Sequence, residues 1–470
     1  MATGVEAPTA PRSGDRRTWV PYPDYPDLVW RYTHFNEPEI TSKFEELAQW
    51  GTSGDTDYAT LQPCTTPSEA SQDRHAIHDW EIDGRRWRFR GLFDGHGGHE
   101  AVNYTVQALP SLILGRLSSR VRDKQLWEPS DISQLLGQTM VEFDNSIGQA
   151  FVDLVPGSSI KELPDAQLEA IVNDPKNLDA VLRCMRGTTA LIALVDPDSA
   201  NLWVASLGDC TAILGTKNPS GTWSTQTLSF NHNGQNPAES VRVTLEHHGE
   251  DRCIEDDRVL GSIAVTRAIG DFVFKLPSVY TERGLLKCHA GFRTQKKVED
   301  LLPRIKTPPY VSNIPQISHL SLASSAKRSD KNSGDDQHKE ASVPGASTNS
   351  EGVTPSSPSS SSESSPVLLL FSDGLGDLYE DEFHFNPASM YGFWCDTMKR
   401  VMSSSSDPPS QATSSAAVSG NGPGGSHTNA AMGFIRVGLG GTDAEKVSRS
   451  LTTEYSGRWM DDTTVLVVRV

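Results

Sequence analysis

Hydrophobic positions along the chain fall into several short continuous runs and one long helical stripe. The runs at 87–93, 189–195, 202–206, 212–215, 367–371 and 465–470 are mostly β-branched or aromatic. Strands buried on both faces read this way, because neither face has to carry polar residues. Helical spacing is clearest in Ile132, Leu135, Leu136, Met140, Phe143, Ile147 and Phe151, behind Ser130 or Asp131 as a cap. That spacing predicts a helix with one apolar face to bury. Further helices are expected at 99–118, 238–247, 387–402 and 442–455. Strands and helices mix without strict βαβ alternation, so the pattern predicts an α+β fold with helices laid on antiparallel sheets.

Composition breaks this pattern twice. Residues 321–366 are rich in Ser, Lys, Asp and Gly, and 403–430 contain only one strong apolar residue, Val418. Neither stretch buries enough surface to offset its ordering entropy, so both are expected to be disordered insertions. The patterned segments on either side contribute to one site, as argued below. The expected organisation is therefore an N-terminal extension, 1–50, followed by a single domain, 51–470. No period of 20–50 residues repeats.

Charge and cysteine usage narrow the function classes. The chain of 470 residues carries 42 basic and 60 acidic side chains, a net charge of -18. Such a surface repels phosphate backbones and anionic lipid, which argues against nucleic acid as the main partner. The apolar runs fall far short of the ~20 residues of a membrane helix, so no span is expected. Six scattered cysteines without a Cys-x-x-Cys pair argue against a zinc ribbon or a disulfide framework and for a reducing, intracellular setting. Residues 1–19 hold no apolar signal core, so no secretory leader is expected.

Candidate chemistry collects at the ends of predicted strands. Asp94 follows Leu92-Phe93, Asp373 follows Phe371-Ser372, and Asp461 stands just before the last run. A carboxylate at a strand terminus is half desolvated by the core yet open to a cleft, which suits a hard cation such as Mg²⁺ or Mn²⁺. Either Asp-Gly pair alone (Asp94-Gly95, Asp373-Gly374) reads as a turn; three acids together point to metal. Around the first acid the chain reads Phe93-Asp94-Gly95-His96-Gly97-Gly98-His99-Glu100, where bare backbone lets a carbonyl ligate metal and a phosphate approach closely. His-Glu-x-x-His is absent, which disfavours zinc.

This segment resembles the signature of the metal-dependent type 2C serine/threonine protein phosphatases, and further blocks follow in that family's order. They are Gly187-Thr188-Thr189-Ala190, Ala205-Ser206-Leu207-Gly208-Asp209, Ala264 to Asp271, Phe371 to Asp377, and Asp461-Asp462-Thr463-Thr464-Val465. Asn231 to Pro237, Leu245 to His248 and Pro308-Pro309-Tyr310-Val311 resemble the branch containing pyruvate dehydrogenase phosphatase. The resemblance implies a four-layer αββα sandwich and a site for two Mn²⁺ or Mg²⁺ ions. Asp94 would bridge them, the Gly95 carbonyl would hold one, Asp373 and Asp461 the other, and Asp73 would stand behind these ligands. A metal-activated water would attack the phosphorus of a phosphoserine or phosphothreonine protein, and His96 would protonate the leaving oxygen. Asp209 and Asp377 match positions that bind a third, looser ion in some members; a turn and packing role is equally open. Asp271, in its Gly-Asp turn, is read as structural. The branch points to mitochondria and the N-terminus to the cytosol.

Departures from the family pattern keep a second reading in view. Gln72 stands where the family has glutamate, Ser68 where it has a phosphate-binding arginine, and Gly376 where it has tryptophan. A pseudophosphatase that binds phosphoproteins without turnover is the alternative these three motivate. Arg86, Arg88 and Arg90 alternate with Trp87 and Phe89, and that alternation reads as a solvated strand face.

Overall fold

The computed structural model describes residues 17–21, 29–123, 128–293, 295–322, 365–383, 390–404 and 429–470. Among these, two larger antiparallel sheets stand out. One has the strand order Gln316–Ser321, Asn201–Leu207, Ala190–Val195, Arg85–Phe93, Arg74–Ile82. The other runs Trp223–Thr227, Thr211–Lys217, Val367–Phe371, Thr463–Arg469, Thr56–Leu61, Ala48–Ser53.

Period-two alternation sorts the side chains of these strands into three apolar layers. Leu92, Leu191, Ala193, Val195, Leu202 and Val204 from the first sheet meet Ala212, Leu214, Leu368, Leu370, Leu466 and Val468 from the second. The intervening residues Phe89, Ile192, Leu194 and Trp203 point the other way, into helices Glu100–Arg122 and Pro129–Leu154. On the far side Leu369, Phe371, Val465 and Val467 pack under helices Glu39–Leu47, Met390–Ser404, Ala430–Gly438 and Ala444–Thr452. The architecture is the four-layer sandwich that the resemblance implied. Each fully buried Leu or Val contributes roughly 1.5–3 kcal/mol, which is why the apolar runs are unbroken.

The strands and helices expected from the pattern all form, with boundaries shifted by a few residues. The long helix starts at Pro129 instead of behind Ser130 or Asp131. Glu128 caps it, in a reciprocal box with Asp131. Helices Gly157–Glu162, Asp165–Val172 and Leu178–Met185 and the edge strands were not anticipated. The Ser-rich stretches 321–366 and 403–430 lie outside the described residues except at their ends, where Ser321 completes an edge strand. Within 1–50, Ile40 and Phe44 are buried in the outer layer and Ala48 opens the edge strand of the six-stranded sheet.

One reading is corrected. Arg90 is not on a solvated face: it is 1% exposed and shares the inter-sheet side of its strand with Leu92. Its guanidinium donates to Thr56 Oγ1 at 2.6 Å, Asp55 at 2.5 Å and Asp79 at 3.0 Å, and Arg88 donates to Asp55 at 2.9 Å. The arginines tie the end of one sheet to the other, and only Arg86 stays largely in solvent.

Candidate metal centre

The acidic residues meet where strands of both sheets end at one edge of the sandwich. Asp94 leaves strand Arg85–Phe93, and Asp373 opens helix Asp373–Phe383 one residue after strand Val367–Phe371. Asp209 lies in the turn that carries the chain from strand Asn201–Leu207 in one sheet to Thr211–Lys217 in the other. Carboxylate oxygens of Asp94, Asp209 and Asp373 all lie within 4.8 Å of one another. Asp461 is half-exposed at the start of strand Thr463–Arg469 and is close enough for its charge to act on both Asp94 and Asp373. Asp377 is exposed one turn along the helix from Asp373, and its charge is felt at Asp209.

Backbone clamps hold these acids in place. Asp94 donates its amide to Thr189 Oγ1 at 3.1 Å, and its carbonyl accepts from Thr189 N at 2.8 Å and Thr188 Oγ1 at 2.9 Å. That is the structural work of the Gly-Thr-Thr block. Gly95 is buried so tightly that a Cβ would stand 2.7 Å from both the Gln72 carbonyl and Val102. Ser372 Oγ donates to Asp73 Oδ2 at 2.7 Å and accepts from Thr464 N at 2.9 Å, which stitches the start of the Asp373 helix to the neighbouring strand. Asp462, next to Asp461, is turned inward and buried, taking Gln72 N at 2.8 Å, Gln62 Nε2 at 2.9 Å and Arg458 at 2.9 Å. Asp73 is buried, and its Oδ2 takes the Ser372 hydroxyl beside Asp373.

The electrostatics are those of crowded, desolvated acids. Burial, then the charges of Asp373, Asp73, Asp209 and Asp461, push Asp94 well above the usual carboxylate range. Burial, followed by Asp209 and Asp461, raises Asp373 to about 7, and burial raises Asp209 to about 6. Oδ1 of Asp209 and Oδ1 of Asp73 are buried without a hydrogen-bond partner among the described residues. Buried acceptors that repel one another and lack donors fit a hard divalent ion, whose charge would reverse every one of these shifts.

Two further residues belong to the site. Asp271, read as structural, meets His96 Nε2 at 2.7 Å. His232, in the Asn231 to Pro237 segment, accepts from Gly208 N through Nδ1 at 3.2 Å, and its backbone donates to the Gly208 carbonyl at 3.0 Å. Gln316 holds its other ring nitrogen at 2.7 Å, and burial keeps the ring neutral with a pKa of about 4. His232 thereby fixes the turn that presents Asp209. Its only signal in the sequence was its place in a polar segment with a family counterpart.

Comparison with known proteins decides the family. The protein phosphatase 2C family profile matches residues 64–328, more than half of the chain. The chain belongs to the protein phosphatase 2C family. Membership brings the enzyme class with it, a metal-dependent serine/threonine protein phosphatase. A protein phosphatase 2C homolog of Schizosaccharomyces pombe is 26% identical over 416 residues, 87% of this chain and 78% of that protein. Human mitochondrial pyruvate dehydrogenase phosphatase 1 is 30% identical over 268 residues, covering 49% of this chain and 50% of its own length. The chain thus spans about half the length of that relative. A solved serine-threonine phosphatase 2C from Toxoplasma gondii superposes with a TM-score of 0.43 at 16% identity, covering 90% of this chain and 97% of that one. No helix among the described residues is long and apolar enough to cross a membrane.

Proposed function

We propose that this phosphatase hydrolyses phosphoserine and phosphothreonine in proteins at a centre of two Mn²⁺ or Mg²⁺ ions held by Asp94, the Gly95 carbonyl, Asp373 and Asp461. Asp73 supports the ligands from behind, and Asp209 and Asp377 offer a place for a third, weaker ion. The observation that carries the reading is the convergence of Asp94, Asp209 and Asp373 within 4.8 Å, with Oδ1 of Asp209 buried and left without a donor among the described residues. When bound, the ions supply charge to offset the phosphate oxygens and lower the pKa of the attacking water.

The rest of the work falls to the chain's own residues. Thr189 fixes the backbone of Asp94, and Ser372 ties the chain just before Asp373 to Thr464, so both acids stand on backbone that would not have to reorganise during the reaction. His96 stands beside the cluster with its side chain 31% exposed. Burial alone would lower its pKa, but the Asp271 carboxylate, with Asp209 and Asp373 beyond it, outweighs burial and holds the ring above the usual histidine value. A general acid needs a ring nitrogen that carries a proton for the departing seryl or threonyl oxygen, and the Asp271 contact favours the protonated ring.

Pyruvate dehydrogenase phosphatases are among the relatives, so a phosphoserine on a dehydrogenase subunit is the first protein substrate to try, and mitochondria the first compartment to inspect. The basic test is turnover of a phosphothreonine peptide by purified protein, with Mn²⁺ and with chelator, beside Asp94→Ala. Turnover should require Mn²⁺ and fall about 10²–10³-fold in the variant, the range that one group of an electrostatic centre supplies. Equal turnover in chelator, or an active Asp94→Ala enzyme, would overturn the proposal.

A further inference from the structure

Three short strands, Gly95–His96, Gly187–Thr188 and Ile269–Gly270, form a small sheet of their own beside the acidic cluster. Its register sets His96 opposite Gly187, and Gly187 opposite Gly270. The middle rung carries no side chain. A Cβ on Gly187 would stand inside the contact radius of both His96 Nε2 and Asp271 Oδ2. The hydrogen bond between them, 2.7 Å long, therefore passes over a bare rung that only glycine leaves open.

Asp271 is held for this contact at some cost. It is buried, and its φ of 55° lies in the left-handed region that non-glycine residues rarely adopt. Several bonds keep it there. Its amide donates to the Arg186 carbonyl at 2.9 Å, and its carbonyl accepts from Phe274 N at 2.9 Å. The preceding Gly270 N donates to Asp144 Oδ1 at 2.7 Å, and buried Asp144 is in turn paired with Lys275 at 2.8 Å. A helix residue, a lysine, the Arg186 carbonyl and the Phe274 amide thus hold a strained aspartate, and the side chain so held faces the imidazole. Strain maintained by its surroundings in this way is a mark of a functional position.

We infer that Asp271 is the positioning residue of His96, an inference that rests on the general-acid reading above. An ionised carboxylate only accepts, so Asp271 assigns a proton to Nε2 and fixes both the tautomer and the plane of the ring. Nδ1 is then the nitrogen that serves the leaving group. As the P–O bond breaks, the Nδ1–H bond of the protonated ring breaks with it and the O–H of the released serine or threonine forms. The neutral ring keeps its Nε2 proton on Asp271.

The test exploits leaving groups. A phosphothreonine peptide needs a proton on its departing oxygen, whereas the phenolate of p-nitrophenyl phosphate departs without one. Asp271→Asn is the first variant, because asparagine tolerates left-handed backbone; Asp271→Gly is the second, because it relieves the strain altogether. With saturating Mn²⁺, the ratio of peptide kcat to aryl phosphate kcat should fall about tenfold or more in both variants, within the usual contribution of general acid catalysis. His96→Gln should lower the ratio likewise, and adding Asp271→Asn to it should lower the ratio no further. Equal losses on the two substrates, an unchanged ratio, or additive losses in the double variant would overturn the inference while wild-type turnover leaves the phosphatase reading intact. Absence of Mn²⁺-dependent turnover in the wild type would overturn both.

Discussion

Asp373→Asn is expected to make the metal-free protein more stable at pH 8, although it removes a metal ligand. Asp373 shares a space of 4.8 Å with the carboxylates of Asp94 and Asp209. Two ionised groups at that distance repel by about 3 kcal/mol at an effective dielectric of ~20. The protein without cation relieves this by holding protons, and Asp373 rises from 3.8 to about 7 because of burial and then Asp209 and Asp461. An acid whose pKa is raised on folding stabilises the fold fully only below its unfolded value. That stability is lost as pH climbs through the folded value. Between pH 5 and pH 8 the loss from this group alone comes to about 3 kcal/mol.

Asparagine keeps the shape and cannot ionise, so the loss should vanish with it. Urea unfolding in chelator at pH 5 and pH 8, for wild type and variant, measures the effect. Histidines lowered by burial, such as His75 and His232, slope the other way in the same window, but they are present in both proteins and cancel in the difference. The stability gap in favour of Asp373→Asn should widen by about 3 kcal/mol from pH 5 to pH 8. Saturating Mn²⁺ should reverse the order, since it stabilises only the fold that binds it. A variant no more stable than wild type at pH 8 in chelator would refute the like-charge argument.

Two other substitutions probe the frame around the site. Glu239 is buried and accepts from Arg267 at 2.6 Å, Thr266 at 2.6 Å and Arg242 at 2.8 Å. Glu239→Ala leaves the Arg267 guanidinium buried and unpaired and should cost ~3–5 kcal/mol in urea unfolding; a loss below about 1 kcal/mol would contradict the buried network. Gly148→Ala drives a Cβ into the Phe272 ring, next to Asp271. Overpacking there should cost ~1–3 kcal/mol, and an unchanged thermal midpoint would show that Phe272 can move.

Legibility in the sequence followed burial. Val367–Phe371 and Ala190–Val195 are apolar throughout because one face meets the other sheet and the next meets helices. Edge strands carry no such signal. Ala48–Ser53 is largely exposed beyond Ala48, and Gln316–Ser321 is only half-buried and mostly polar. Arg88 and Arg90 misled because alternation reports which residues share a face and not what the face meets; here it meets Asp55 and Thr56 of the opposite sheet. Asp94, Asp373 and Asp461 were visible as acids at the ends of apolar runs, whereas Asp209 was reached only through the family resemblance. The His96 to Asp271 contact was not, since it joins residues 175 apart through the missing side chain of a third.

The departures at Gln72, Ser68 and Gly376 motivated a dead site, and for Gln72 and Gly376 the structure shows what the position does. Gln72 Oε1 accepts from Gly98 N at 2.9 Å, so the amide shapes the loop after His96 instead of facing the acids. Gly376 opens onto free space, and the helix it belongs to is anchored elsewhere: Leu375 and Tyr379 are buried, Tyr379 donates to the Phe434 carbonyl at 3.0 Å, and Gly374 lies directly against the Asp462 carbonyl. Asp373 is therefore placed without a tryptophan behind it. What Gln72 removes is one negative charge near the centre, which weakens attraction for a cation without dismantling its ligands. Gln72→Glu should accordingly lower the Mn²⁺ concentration for half-maximal turnover by up to about tenfold, or ~1.4 kcal/mol. That is less than the ~3 kcal/mol of a charge at cluster distance, because this side chain is turned toward Gly98. A titration of peptide turnover against Mn²⁺ decides it. Unaltered or weakened activation would mean that position 72 acts on the loop alone.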